Sequence, residues 1–309
     1  MTKIPLIVVA GATASGKTGL SIEIAKRIKG EVVSSDSMQI YKYMDIGTAK
    51  PTKEEQGTVE HHLIDFIEPT KAYSVADYCT DAHKVILEIT NRGKVPVMCG
   101  GTGLYINSVV DDVEFGEMET DYKLRDELFE IAKTQGKEKL IEILSEFDSV
   151  SAKRLHPNNV KRVIRAIEFY KKTGVPISVH QEETKKKESR YNPIMLAIDW
   201  EREELYERIN RRVDIMMEDG LLEEVKKLKA MGLTKDMQSM QGIGYKELFD
   251  YFDGLVDLNE AVEAIKLGSR RYAKRQLTWF KRDTRIHWLS PCDAIDKAID
   301  LILQNKTQP

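Results

Sequence analysis

The sequence predicts an α/β fold: a parallel sheet flanked by helices, interrupted by an all-helical insertion. Three observations carry this expectation. A short apolar run at 4–10 leads through Gly11-Ala12-Thr13-Ala14-Ser15-Gly16-Lys17-Thr18 into a helical pattern at 20–28. Further apolar runs at 32–33, 95–99 and 193–199 read as strands between helical stretches. From about residue 113 the texture changes, and 120–175 becomes richly charged and helical. On this reading 1–113 and 191–309 form the core, and 114–190 is the insertion.

The loop at 11–18 is the most informative stretch. Its spacing, Gly, four residues, then Gly-Lys-Thr, is the phosphate-binding (P-loop) signature. Glycines let the backbone curl so that successive N–H groups face an anion, and the following helix N-terminus adds partial positive charge. Lys17 is placed to reach terminal phosphate oxygens, and the Thr18 hydroxyl to hold Mg²⁺. The motif identifies a di- or triphosphate, not a reaction. A Gly-rich turn with no ligand is the plain alternative.

Composition narrows the classes. With 309 residues the chain suffices for one large domain, or a core plus a smaller one. At 41% hydrophobic and 31% charged, it has an ordinary globular composition. A net charge of −3 does not announce a nucleic-acid binder, although a mean charge hides any basic face. Cys79, Cys99 and Cys292 lie far apart, which argues against a disulfide framework or zinc site and fits a reducing cytoplasm. No signal peptide is expected, because Met1-Thr2-Lys3 leads directly into the first strand. No apolar run approaches the roughly 18 residues of a membrane span.

Taken in order, the remaining stretches add candidate chemistry. Asp36 falls just past the strand at 32–33. Ligands of open α/β sheets bind at strand carboxyl ends, so Asp36 is expected beside the phosphate loop, on the adjacent strand. It either caps a turn there or accepts a proton from an attacking group. Asp36-Ser37-Met38-Gln39 combines an acceptor, a hydroxyl and an amide, which suits reading a base edge. Residues 42–75 read as irregular, with a turn at 47–51. His61-His62 invites a metal, but consecutive strand side chains face opposite ways, so a structural pair is favoured. Ser74 opens a helix as N-cap, with Asp77 at the capping-box position, and the helix runs to about Asn91. The strand at 95–99 closes on Gly100-Gly101-Thr102-Gly103-Leu104-Tyr105, which brings backbone and a hydroxyl to one sheet edge. It lacks the terminal acid of many ATPases, which weakens an ATP-hydrolysis reading.

In the insertion, helices are expected at 122–135, 137–147 and 159–173. Lys153, Arg154, Lys161, Arg162, Arg165, Lys171 and Lys172 crowd its last part against Glu168 alone. Residues 181–190 read as a linker or exposed tip. After the strand at 193–199, a helix over 201–217 puts Arg208 and Arg212 on one face. They either aim two guanidinium forks at an anion or pair with Glu204. Gly220 ends or kinks that helix before another at 221–231. Gln241-Gly242-Ile243-Gly244-Tyr245-Lys246 is a Gly-rich turn into a helix. Residues 266–285 hold eight Lys/Arg and one acid, with Tyr272, Trp279 and Phe280 interleaved. Basic groups with aromatics suit single-stranded or looped RNA, while Ala273, Leu277 and Phe280 give the same helix a core face.

These runs carry a resemblance. Gly-Ala-Thr-Ala-Ser-Gly-Lys-Thr at 11–18, Asp-Ser-Met-Gln-Ile-Tyr at 36–41, Gly-Thr-Ala-Lys-Pro at 47–51 and His-His-Leu-Ile-Asp at 61–65 follow one another in a family order. Gly-Gly-Thr-Gly-Leu-Tyr at 100–105, Gln-Gly-Ile-Gly-Tyr-Lys-Glu at 241–247 and Arg-Tyr-Ala-Lys-Arg-Gln-Leu-Thr-Trp-Phe at 271–280 complete it. Together they resemble the bacterial tRNA dimethylallyltransferases, also called tRNA isopentenyltransferases. Ala12 stands where members often carry Pro, a minor departure, and no zinc-finger extension of the eukaryotic kind is expected.

The resemblance implies a nucleotide-kinase-like P-loop core, with the helical insertion helping to hold the tRNA anticodon stem-loop. It implies transfer of a dimethylallyl group from dimethylallyl pyrophosphate to N6 of the adenosine immediately 3′ of the anticodon. Asp36 would be the general base, with Thr102 beside it. Lys17, Thr18 with Mg²⁺, Arg208 and Arg212 would stabilise the leaving pyrophosphate. Implied tRNA contacts are Asp36, Ser37, Met38, Gln39, Thr102, Arg125, Asn159, Val160, Lys161, Arg162, Val163, the 241–246 turn, Arg271, Lys274 and Arg275. A cytoplasmic monomer without membrane attachment is expected. The alternatives are a small-molecule or nucleotide kinase, an enzyme that prenylates free adenine nucleotides, and an ATP-dependent RNA-binding switch.

Overall fold

The apolar runs become one sheet buried on both sides. In a computed structural model of the chain, residues 3–113, 115 and 121–306 are described. The strands are β1 (Ile4–Ala10), β2 (Gly30–Ser34), β3 (His61–His62), β4 (Val95–Gly100), β5 (Tyr191–Ile198) and β6 (Ile286–Leu289). Their order is β3-β2-β4-β1-β5-β6, and every pairing is parallel. A parallel sheet needs helices on both faces, so its strands read as continuous apolar runs. Leu6, Val8, Val9, Val33, Val97, Met98, Leu196 and Ala197 are accordingly buried.

The helices of the first half are α1 (Lys17–Ile28), α2 (Lys53–Gln56), α3 (Val75–Asn91) and α4 (Gly103–Val110). Next come α5 (Tyr122–Thr134), α6 (Lys137–Ser145), α7 (Ser149–Arg154), α8 (Val160–Thr173) and α9 (Ile177–Lys186). The last part holds α10 (Arg202–Glu218), α11 (Leu221–Ala230), α12 (Tyr245–Phe252), α13 (Leu258–Phe280) and α14 (Ala294–Lys306). Contacts divide the chain into two compact units, residues 1–110 with 190–309, and residues 111–189.

The sheet order corrects one expectation. β2 is not adjacent to β1, because β4 lies between them. Asp36 and the phosphate loop therefore flank the loop that follows β4, the one that carries Thr102. Other differences lie at helix ends. Residues 181–186 continue α9 and are not a linker. The basic-aromatic helix begins at Leu258, where Asp257 and Glu260 form a capping box, and stops at Phe280. β6 and α14 follow it, and α7 adds a turn of helix in the insertion. Ser74 and Asp77 form the expected capping box of α3.

The residues 111–189 unit has a core of its own. Leu128, Leu140, Leu144, Ala152, Val163, Ile164, Ala166 and Ile167 pack together. Beside them, the buried Glu168 accepts from Arg125 Nε and Nη2, Arg165 Nη1 and the Asp121 backbone N–H. Burial alone would raise the Glu168 pKa, but these donors more than offset that and hold it below the usual range.

The two histidines diverge as strand geometry requires. His62 Nε2 meets Glu31 at 2.7 Å, while His61 Nδ1 meets the Val59 carbonyl at 2.9 Å. Glu31, Glu60 and His62 bring possible ligand atoms within 4.8 Å of one another. However, Arg92 and Lys94 also sit on Glu31, at 2.5 and 2.6 Å, so the cluster carries too much positive charge to favour a metal. This knot ties β3 and the turn before β4 to β2. Glu31 is 1% exposed. Burial works to raise its pKa, yet Lys94, His62 and Arg92 bring it down to about 2.

A folded pKa below the unfolded value of 4.5 means that the stabilisation is full above pH 4.5 and is lost as pH falls toward 2. Glu31→Gln should remove about 2 kcal/mol at pH 7 and flatten the acid limb of stability. Urea unfolding from pH 7 to pH 3 checks this, and parallel acid limbs in the two proteins would refute it.

Candidate active site

The phosphate loop leaves β1 at the centre of the sheet and enters α1 through Gly16, whose φ of 88° is left-handed. A Cβ there would make only ordinary contact, with Ile198 at 3.7 Å, so the backbone conformation rather than crowding requires glycine. Ala14 is also left-handed, at φ 60°, which costs an L-residue about 1 kcal/mol. Side chains from the second half of the chain hold this strained segment. Trp200 Nε1 donates to the Ser15 carbonyl at 2.9 Å, and Arg208 Nε donates to the Ala14 carbonyl at 2.9 Å. The Arg208 guanidinium lies over the Trp200 ring, 4.3 Å from its centroid. Arg208 is thus committed to the loop itself rather than to Glu204.

Gln276, on α13, takes the Thr13 backbone N–H at 2.9 Å through Oε1. Its Nε2 donates to the Gly101 carbonyl at 2.9 Å. Lys17 Nζ rests 3.2 Å from the Ala12 carbonyl. Burial, and then the neighbouring Arg212 charge, lower the Lys17 pKa, with Cys99 and Asp36 opposing. Burial also lowers Arg212, although Asp36 and Glu55 oppose it. Two cations that repel across a gap mark a place where an anion would be stabilised.

On the acceptor side, Asp36 Oδ1 accepts from the Met38 N–H at 2.9 Å and the Gln39 N–H at 3.4 Å. Thr102 Oγ accepts from the Ser37 N–H at 3.0 Å, and the Thr102 N–H donates to the Ser35 carbonyl. The two strand-end loops are therefore laced together. Each glycine of 100–103 serves a different close approach. A Cβ would lie 2.3 Å from the Ser35 carbonyl at Gly100, 2.2 Å from Gln276 Nε2 at Gly101, and 2.4 Å from the Trp279 ring at Gly103. Burial and the Asp36 charge push Tyr272 up to about 12, with Thr102 opposing, so its phenol stays protonated at neutral pH.

Two cavities open at these strand ends. The larger, about 1140 Å³, is lined by Gly16, Lys17, Thr18, Arg208, Arg211 and Arg212 among others. The smaller, about 320 Å³, is lined by Thr13, Asp36, Ser37, Met38, Gln241, Gly242, Ile243, Gly244, Lys246, Tyr272 and Arg275, with an apolar wall of Ile209, Val213, Leu221 and Ile265. Ala14, Arg212 and Met216 line both. Anionic and apolar recognition thus share one wall.

Not every residue singled out in the sequence presents its side chain here. Gln39 Nε2 donates to the Thr48 and Ala49 carbonyls, so its amide supports the 47–51 turn rather than facing a cavity. Tyr245 is fully buried, with its OH on Glu224 and its ring against Gly47. Glu224 also collects the N–H groups of Asp45, Ile46 and Gly47. Arg271, Lys274 and Arg275 are exposed on α13. In the residues 111–189 unit, Asn159, Lys161 and Arg162 are exposed around the first turn of α8, and Val160 is half-buried. Val163 is buried in that unit's core, and Arg125 is held by Glu168, so both side chains serve the fold. Trp200, Gln276 and Glu224 were missed by sequence reasoning, whereas Tyr272 was noted as an aromatic of the basic helix but not placed beside Asp36. Of the three, only Gln276 lay inside a noted motif.

Thr18 lines the larger cavity beside Lys17. A hydroxyl at a helix N-terminus, facing a space for phosphates, suits Mg²⁺ held mostly by phosphate oxygens and water. Among the described residues, no helix is long and apolar enough to cross a membrane.

Comparison with known proteins finds relatives over most of the chain. Residues 39–283 match the IPP transferase family. A tRNA dimethylallyltransferase of Acetivibrio thermocellus is 53% identical over 285 residues, 92% of this chain and 91% of that one. The full-length tRNA isopentenylpyrophosphate transferase of Bacillus halodurans aligns with TM-score 0.73 and 45% identity over 98% of this chain and 97% of its own. A eukaryotic dimethylallyltransferase acting on tRNA aligns with TM-score 0.85 and 28% identity, covering 99% of this chain and 80% of its own.

The lowered Lys17 pKa has a measurable sign. Affinity for inorganic pyrophosphate should fall as pH rises, earlier than an ordinary lysine would allow. Lys17→Arg should move that loss to higher pH. Calorimetric titration from pH 7 to pH 10, taken as the ratio of the two proteins, reads the effect, and a flat ratio would remove Lys17 from the anion site.

Proposed function

The chain belongs to the IPP transferase family, and from that premise we propose that it is a tRNA dimethylallyltransferase. It moves a dimethylallyl group from dimethylallyl pyrophosphate to N6 of the adenosine immediately 3′ of the anticodon. One observation carries the reading: a cationic phosphate cavity and a polar-apolar cavity bearing Asp36 share the wall formed by Ala14, Arg212 and Met216. That is the geometry a bisubstrate transfer needs, with the anionic end of one substrate and the base of the other meeting at one point.

The pyrophosphate occupies the larger cavity. The loop N–H groups, Lys17 and Arg212 stabilise the negative charge that develops as the C1–O bond of the donor breaks. Arg208 positions the loop through the Ala14 carbonyl. Thr18 would hold Mg²⁺, which supplies further charge neutralisation to the leaving group. The adenine leaves its stack and enters the smaller cavity, where Met38, Gly242 and Ile243 supply surface and the Tyr272 O–H a donor. Its exocyclic amine is a weak nucleophile. Asp36 orients that amine and takes its proton as the N6–C1 bond forms. The turn formed through Asp36 Oδ1 leaves the second oxygen without a hydrogen-bond partner among the described residues.

The RNA is gripped through Arg271, Lys274 and Arg275 on α13, and through Asn159, Lys161 and Arg162 at the start of α8. These exposed groups are phosphate contacts, which position the stem-loop without reading sequence. Every group named comes from one chain, so a monomer is the expected working unit.

Two measurements test the reading. Incubation with unmodified tRNA, Mg²⁺ and dimethylallyl pyrophosphate should yield N6-dimethylallyladenosine by nucleoside mass spectrometry. No prenylated nucleoside there, with ATP consumed in a parallel tube that holds ATP, would favour a kinase. Asp36→Ala should lower turnover about 100-fold while tRNA affinity changes little. A large loss of affinity with normal turnover at saturation would remove the base assignment.

A further inference from the structure

We propose that Gln276 is the positioning residue that keeps the donor loop and the acceptor loop in register. This side chain is 6% exposed, and its amide is spent on two backbone groups. Oε1 accepts from the Thr13 N–H of the phosphate loop, and Nε2 donates to the Gly101 carbonyl of the loop after β4. Both distances are 2.9 Å, across 263 and 175 residues of sequence.

The chemistry of this bridge is specific. Thr13 N–H only donates and the Gly101 carbonyl only accepts, so the partners fix the amide orientation. No carboxylate, thioether or hydroxyl offers one donor and one acceptor at that spacing. Gly101 is matched to it, since a Cβ there would lie 2.2 Å from Nε2. Thr102, the next residue, holds the Ser37 N–H and so the segment beginning at Asp36. Gln276 therefore links the pyrophosphate loop to the base through one side chain. It does so from α13, whose neighbouring Arg275 and Tyr272 line the smaller cavity. A small drift between the loops separates the reacting atoms, and transfer is steeply sensitive to that distance.

The kinetic part of this inference rests on the prenyl-transfer reading, whereas its binding part does not. The experiment compares wild type, Gln276→Glu and Gln276→Met, using inorganic pyrophosphate binding and steady-state transfer to tRNA at pH 6 to pH 8. At pH 8 both variants should bind pyrophosphate more weakly and lose about tenfold or more in kcat, with KM for tRNA within about threefold. The introduced glutamic acid is desolvated and titrates well above an exposed carboxyl. Once protonated, it donates to the Gly101 carbonyl and still accepts from Thr13. Activity of Gln276→Glu relative to wild type should therefore recover toward pH 6, while Gln276→Met stays low at both ends. A flat ratio for Gln276→Glu, or wild-type kcat in Gln276→Met, would overturn the proposal. If wild type makes no prenylated nucleoside yet both variants lose pyrophosphate affinity, the reaction is misassigned and the positioning role stands.

Discussion

The site depends on a phosphate loop whose own backbone cannot hold its shape. Ala14 sits in a left-handed conformation, and the loop's outward groups would be unsatisfied without partners from elsewhere. Those partners are Trp200, Arg208 and Gln276, which take the Ser15 carbonyl, the Ala14 carbonyl and the Thr13 N–H. All three lie after the insertion in sequence. The conformation of the N-terminal motif is therefore completed only when the C-terminal half has folded against it, and Trp200, α10 and α13 support it as much as its own residues do.

The acceptor side follows the same logic at closer range. β4 lies between β1 and β2, so its terminal loop stands between the phosphate-loop motif and the segment that carries Asp36. Its three glycines allow contact with the Ser35 backbone, the Gln276 amide and the Trp279 ring. Glu224 does a comparable task for the 45–47 turn by collecting three N–H groups and the Tyr245 O–H. Side chains that look fit to read RNA, such as Gln39 and Tyr245, are used to build the wall of the cavity. The cavity itself is lined by Met38, Tyr272 and Arg275 together with the Gly242 and Gly244 backbone.

Much of this was legible in the sequence because local signals were strong. The Gly-x4-Gly-Lys-Thr spacing marks β1, the loop and α1 without further help, and Ser74 with Asp77 marks the start of α3. Arg208 and Arg212 could be placed on one helical face by their spacing, but not assigned different tasks. One is bound to a carbonyl and the other faces two cavities, which depends on contacts nearly 200 residues away. Gln276 gave no periodic or charge signal, because a neutral amide on a basic helix reads as surface. The order of β1, β4 and β2 was equally hidden, since strand order in a parallel sheet is set by crossover packing and not by any local pattern.

The unit formed by residues 111–189 has its own apolar core around Leu140, Leu144 and Ile164, and its own buried carboxylate at Glu168. Each core buries its own apolar surface and so adds its own share to the heat capacity of unfolding and to the response to denaturant. Glu168 and Glu31 share no partner among the described residues, so the effects of substituting them on stability should add.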